Sequence, residues 1–98
     1  MLIKVHKATR LAVALCDSDL VGKVFNEGKY QLDLTGTFFL GEEKDKEEIS
    51  ELLDFYRKED ACFNIVGEKS CGVALKIGLI SEKGILRVDG VPFALVLG

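Results

Sequence analysis

Cys62-Phe63-Asn64-Ile65-Val66-Gly67-Glu68-Lys69-Ser70-Cys71 is the stretch that decides the fold. From Cys62 to Val66 only Asn64 is polar, so both faces of an extended segment are apolar. That pattern predicts an interior strand covered on two sides. Gly67 breaks the run, and Glu68 to Ile77 then reads as a mostly buried helix ending near Gly78. A strand, a sharp turn and a helix in sequence place this chain among mixed folds of helix and sheet.

Upstream, Leu2–Lys7 and Leu11–Cys16 predict two strands joined by a turn near Ala8-Thr9. In the second, Leu11, Val13 and Leu15 share one face and Ala12, Ala14 and Cys16 the other, a period of two. The small residues imply that another element, a helix in this reading, packs close to their face. Asp17 or Ser18 is placed to cap a short helix carrying Leu20, Val21, Val24 and Phe25 and stopping near Gly28. Tyr30, Leu32 and Leu34 alternate with Gln31 and Asp33 as a half-buried strand does. The run Gly36-Thr37-Phe38-Phe39-Leu40-Gly41 is open between a short strand and a loop plugging the core.

Asp45 followed by Glu48 resembles a capping box, and Ile49, Leu52, Leu53 and Tyr56 then give one apolar helix face. Asp54 and Lys58 form a surface pair on that helix. Downstream, Asp89-Gly90 lies between Ile85–Val88 and Val91–Leu97, the signature of a hairpin with a type I′ turn. Pro92 fits an edge or the first residues of its strand. The expected fold is α+β (α/β-like), one compact domain over residues 1–98, with a mixed sheet, about three helices and a C-terminal β-hairpin.

The chain's 98 residues are 48% hydrophobic and 30% charged, enough apolar surface for one core and too much for a disordered chain. Thirteen basic against sixteen acidic side chains give a net charge of −3, which excludes a non-specific nucleic-acid binder dependent on a basic surplus. Cys16, Cys62 and Cys71 are odd in number and lack CxxC spacing, so neither a disulfide framework nor a zinc ribbon is expected. Buried thiols in a reducing cytoplasm are the reading that remains. No stretch has the length of a signal peptide core or a membrane span, and no cofactor or metal is expected. The acidic run Glu42–Glu51 reads as a solvated helix start favoured by the helix dipole.

The best candidate for chemistry is the junction at Gly67. A glycine turn leaves the first amides of a helix free, and such amides bind anions. Lys69 and Ser70 echo the end of a P-loop, but Glu68 separates Gly67 from Lys69 and sets a negative charge where a phosphate would sit. Asn64, Gly67 and Glu68, with Asp17 and Lys23 converging on them, are the candidate ligand-binding residues. Asp17, Asp19 and Lys23 alone would otherwise be a cap and its surface neighbours. His6 and Cys16 make a tempting dyad. A turn at Ala8-Thr9, however, sets His6 opposite Leu11, roughly 16 Å of strand away from Cys16. Phe38 and Phe39 have no basic cluster beside them and read as core rather than as a base-stacking pair.

Leu15-Cys16-Asp17, Leu20-Val21-Gly22-Lys23, Phe38-Phe39-Leu40-Gly41-Glu42, Asn64-Ile65-Val66-Gly67-Glu68 and Gly90-Val91-Pro92 occur in this order across nearly the whole chain. Together they resemble a family of small archaeal proteins, the domain of unknown function number 424. The polar positions that match are Cys16, Asp17, Lys23, Glu42, Asn64 and Glu68. Where the family pattern places a histidine after Val-Pro, this chain has Phe93. The resemblance implies an archaeal cytoplasmic protein of α/β structure, with no established activity, substrate or cofactor. Two functions stay open. One is a non-catalytic binding module docking on a protein or ribonucleoprotein partner, with a homodimer through a sheet edge also open. The other is a small enzyme or sensor that binds an anionic, phosphorylated small molecule at the Gly67 junction.

Overall fold

A computed structural model describes residues 1–98. Its elements are β1 (Leu2–Lys7), β2 (Leu11–Cys16), β3 (Val24–Glu27), β4 (Tyr30–Asp33), β5 (Glu42–Glu43), α1 (Lys46–Lys58), β6 (Cys62–Val66), α2 (Glu68–Lys76), β7 (Leu86–Val88) and β8 (Val91–Val96). One six-stranded sheet runs in the order β5-β1-β2-β6-β8-β7, while β3 and β4 form a separate two-stranded sheet. The pair β2–β6 is parallel and the other neighbours are antiparallel, so the sheet is mixed and the fold is α+β.

Alternation along β2 and β6 sorts the core into two layers. Val13, Leu15, Phe63 and Ile65 point to one face, where Ile49 and Leu53 of α1 and Val73 and Ala74 of α2 close over them. Burying each of the larger side chains contributes about 1.5–3 kcal/mol, so this layer carries most of the stabilisation. Cys16 and Val66 point to the other face, beneath Leu34, Phe25, Leu32 and Phe39.

That second layer corrects one expectation. There are two α-helices, not about three, because Ser18–Gly22 is a run of turns and Val24–Phe25 begin β3. Gly22 adopts φ +91°, which ends any helical path. The Gly22 N–H then donates to the Leu34 carbonyl at 2.8 Å, and the Leu34 N–H donates to the Lys23 carbonyl at 2.9 Å. The element lying close over Ala14 and Cys16 is therefore a hairpin and its return loop, not a helix. Gly28, with φ +60° at the first position of a two-residue turn between Glu27 and Tyr30, makes that hairpin tight. The segment from Gly36 to Gly41 is a loop, and its Phe39 plugs the same layer.

The capped helix and the C-terminal hairpin form as the sequence predicts, whereas Phe38 is 41% exposed instead of core and Cys62 is only half-buried. Asp45 caps α1, accepting from the Glu48 N–H at 2.9 Å, and Asp54 pairs with Lys58 at 3.2 Å. Asp89 (φ +52°) and Gly90 (φ +79°) both occupy the left-handed region, as a type I′ hairpin requires, and Val88 faces Val91 across it. Pro92 is the second residue of β8, and its carbonyl accepts from the Gly67 N–H at 2.8 Å. No helix is long and apolar enough to cross a membrane.

Candidate functional site

The strand–Gly67–helix junction forms where the sequence places it. Gly67 adopts φ +109° and ψ +157° and is the N-cap of α2, with no side chain of its own to satisfy the first amides. Those amides are met from elsewhere. The Asp17 carboxylate, one residue past the end of β2, accepts from the Lys69 N–H at 3.1 Å and the Ser70 N–H at 2.8 Å. The Ser70 hydroxyl adds a third bond to the same carboxylate at 2.7 Å. Asp17 is only 6% exposed and Ser70 fully buried.

Parallel pairing of β2 with β6 explains the meeting. Cys16 lies beside Val66, so the next residue of each strand, Asp17 and Gly67, leave the sheet side by side. The Asp17 N–H donates to the Val66 carbonyl at 3.1 Å, which holds the carboxylate over the helix start. A Cβ at Gly67 would stand within 2.5 Å of both carboxylate oxygens, so only glycine lets the two chains approach this closely. The N-terminal positive end of α2 thus already holds an anion, and that anion is built into the fold.

The remaining candidates take other roles. Glu68 is exposed and accepts from the Arg87 guanidinium at 2.8 Å; that guanidinium also donates to the Gly90 carbonyl at 3.1 Å. This ion pair ties α2 to β7. Asn64 is half-buried in mid-β6, opposite Ala14 on one side and Leu95 on the other. Lys23 is exposed at the foot of the β3–β4 hairpin, where its N–H donates to the Leu20 carbonyl at 3.1 Å. Asp17 and Gly67 therefore converge, while neither Asn64 nor Lys23 joins them by a hydrogen bond or ion pair. Glu42 is in β5 and pairs with Lys44 at 3.3 Å.

The two buried thiols are held in their neutral form. Burial, with the Asp17 charge beside them, pushes Cys16 up to about 12 and Cys71 up to about 11. His6 faces Ala12 rather than Leu11, because Ala8 to Arg10 all belong to the turn, and Cys16 lies opposite Leu2. The imidazole is thus four ladder positions from that thiol, roughly 13 Å. Instead it stacks on Phe38, with ring centroids 4.5 Å apart, and its Nε2 lies 2.9 Å from the Phe38 carbonyl.

Sequence reading missed one feature, a groove of about 980 Å³ between the outer edge of β1 and α1. Val5 forms its floor, with Leu40 and the Leu52 and Phe55 side chains of α1 along its walls. Phe55 is the available signal. It falls off the Ile49–Leu53–Tyr56 stripe of α1, and it is exposed.

The family model described as "Protein of unknown function (DUF424)" matches residues 6–98. Among solved structures, the crystal structure of an uncharacterized conserved protein from Methanopyrus kandleri is similar, with a TM-score of 0.83 at 24% identity. That similarity covers 97% of this chain and 88% of the other. At such identity the likeness is one of fold. No curated protein matches the chain.

Proposed function

This chain belongs to the DUF424 family of proteins of unknown function, and on that footing we propose that it is a non-catalytic accessory module that docks on a protein partner. One observation carries the reading. On the face of the sheet that bears the β3–β4 hairpin, the covered cluster of Cys16 and Val66 takes in Val91 and Phe93, and Glu27 of the hairpin meets the Asp89 turn, but Leu86 and Leu95 stay outside it. Leu86 faces Phe93 across the β7–β8 ladder, and Leu95 follows Phe93 by two residues, so both point to this same side. They are 61% and 62% exposed. Neighbouring large apolar side chains left in water on a sheet face are what a docking surface presents.

The alternative, an enzyme or sensor for a phosphorylated small molecule at the Gly67 junction, has less support. The Lys69 and Ser70 amides it would use are taken by Asp17, and Glu68 repels a second anion. The three free cysteines fit a reducing compartment, so the module is assigned to the cytoplasm.

Affinity capture from the source lysate with the native chain and with Leu95→Glu tests the reading. A stoichiometric protein retained by the first and lost by the second supports it. Loss of that protein after nuclease treatment would make the partner a ribonucleoprotein. Equal recovery with both baits, or a rise in melting temperature with nucleotides or sugar phosphates, would overturn it.

A further inference from the structure

The hairpin side of the sheet carries a bare ledge near the start of β6. Ala12 and Ala14 of β2 lie beside Cys62 and Asn64 of β6, and Asn64 lies beside Leu95 of β8. These residues share the side of Cys16 and Val66, two positions further along each strand, and Leu97 continues the β8 row. Leu34 and Phe39 cover Cys16 and Val66. On the β1 flank the Gly36–Gly41 loop closes down, with Phe38 stacked on His6 and Lys4 donating to the Thr37 carbonyl at 3.4 Å. Between these covers and the start of β6 the sheet is one layer lower. Ala12, Cys62 and Asn64 are half-buried there, while Leu95 and Leu97 are 62% and 85% exposed.

Charge and shape select what covers the ledge. None of its residues is acidic or basic, in a chain that is 30% charged. Its one amide, Asn64, offers donor and acceptor together and is satisfied without an ion. The rim at the start of β6 adds one charge of each sign, Arg10 and Asp60, joined through the Asp60 carbonyl. A charged partner surface would lose its water here and find no ion to pair, so the cover must be neutral. A low layer beside a raised one is a step, and a step is complementary to itself. A two-fold axis lying across the strands near Cys62 sets each ledge on the other. The hairpin layer of each copy then stands past the end of the other's sheet, and the exposed leucines of the two β8 strands meet between the sheets.

We infer that the chain forms a two-fold dimer in which the ledges of Ala12, Cys62, Asn64, Leu95 and Leu97 pack face to face. The inference rests on reading the Leu95 side of the sheet as a docking surface, and it names the occupant as a second copy of the chain. The ledge is small, which puts the dimer among weak, exchanging interfaces.

Sedimentation of the intact chain from micromolar to millimolar concentration should show monomer giving way to dimer. The double variant Leu95→Glu, Leu97→Glu should weaken association by about tenfold or more, since like charges would then face each other away from water. Both side chains are exposed in the single chain, so the melting temperature of the variant at micromolar concentration should match that of the native chain. Alkylation of Cys62 should slow as dimer forms, because the thiol lies near the axis. A chain that stays monomeric to millimolar concentration would overturn the assignment. So would a dimer indifferent to the double variant, a dimer that leaves the Cys62 rate unchanged, or assembly beyond two copies. A monomeric chain whose Leu95→Glu variant still loses a lysate protein would leave the docking reading standing and remove this occupant alone.

Discussion

Asp17 and Ser70 stand 53 residues apart in the chain, yet the Ser70 N–H and hydroxyl both donate to one oxygen of the Asp17 carboxylate. The contact replaces the capping side chain that Gly67 lacks, and it locks the end of β2 onto the start of α2. Asp17→Ala strips partners from two amides and a buried hydroxyl at once. Unfolding in urea should show a loss of about 2–4 kcal/mol, the sum of a lost cap and buried unpaired groups. Asp17→Asn keeps one acceptor and should lose less. A double-mutant cycle with Ser70→Ala should be clearly non-additive, since the two residues share one network. Additive losses would show that the contact carries little energy.

The two glycines near that cluster should respond in opposite directions. Gly67→Ala meets both the Asp17 carboxylate and a left-handed backbone, so it should destabilise by about 3 kcal/mol or more. Gly72, inside α2, has nothing within 4 Å of an added Cβ, and Gly72→Ala should stabilise by roughly 0.5–1 kcal/mol. Denaturation midpoints of the two variants check both signs.

Much of this arrangement was legible in the sequence, and the remainder was hidden for a definite reason. Local rules sufficed where a signal and its partner are neighbours: the period-two pattern of Leu11–Cys16, the Asp45 cap and the Asp89-Gly90 turn. Leu20, Val21, Val24 and Phe25 misled because their spacing also fits a helical stripe, and the opposing signals were Gly22 and the Gly28-Lys29 turn pair. Asp17 was readable as a cap, but of the element nearest in sequence. Its true helix begins at Glu68, and only the parallel β2–β6 pairing brings that helix near. The groove between β1 and α1 was invisible for a similar reason, since it opens where the Gly36–Gly41 loop crosses β1.

Buried thiols should show in the alkaline limb of stability. Cys16 and Cys71 keep their protons in the folded chain to about 12 and about 11, against an ordinary value of 9.0. Unfolded, they ionise first, so stability is full below 9.0 and declines as pH rises from there toward the folded values. Urea midpoints across that range should fall, and Cys16→Ala should shallow the slope. Near neutral pH a thiol reagent should modify the half-buried Cys62 first, with Cys16 and Cys71 reacting only on denaturation.

An acid limb should arise at the C-terminal turn of α1. Bonds from Arg57 and then Lys58 hold the Asp54 carboxyl below its ordinary 3.8. This contribution is present above 3.8 and is lost as pH falls through the lower folded value. Asp54→Asn should make α1 less sensitive to acid, seen as a smaller loss of helical circular dichroism on titration. All three side chains reach solvent, so added salt should mute the difference.

The β3–β4 hairpin is tied to the body at both ends, at its base where Gly22 and Lys23 exchange backbone bonds with Leu34, and beside its tip where Glu27 accepts from the Asp89 N–H at 2.7 Å. Its far end at Gly28-Lys29 is exposed and lies beyond the residues that cover Cys16 and Val66. A foreign loop spliced there would hang from an anchored stalk, giving a handle for a reporter or crosslinker while the Leu86–Leu95 face stays unmodified.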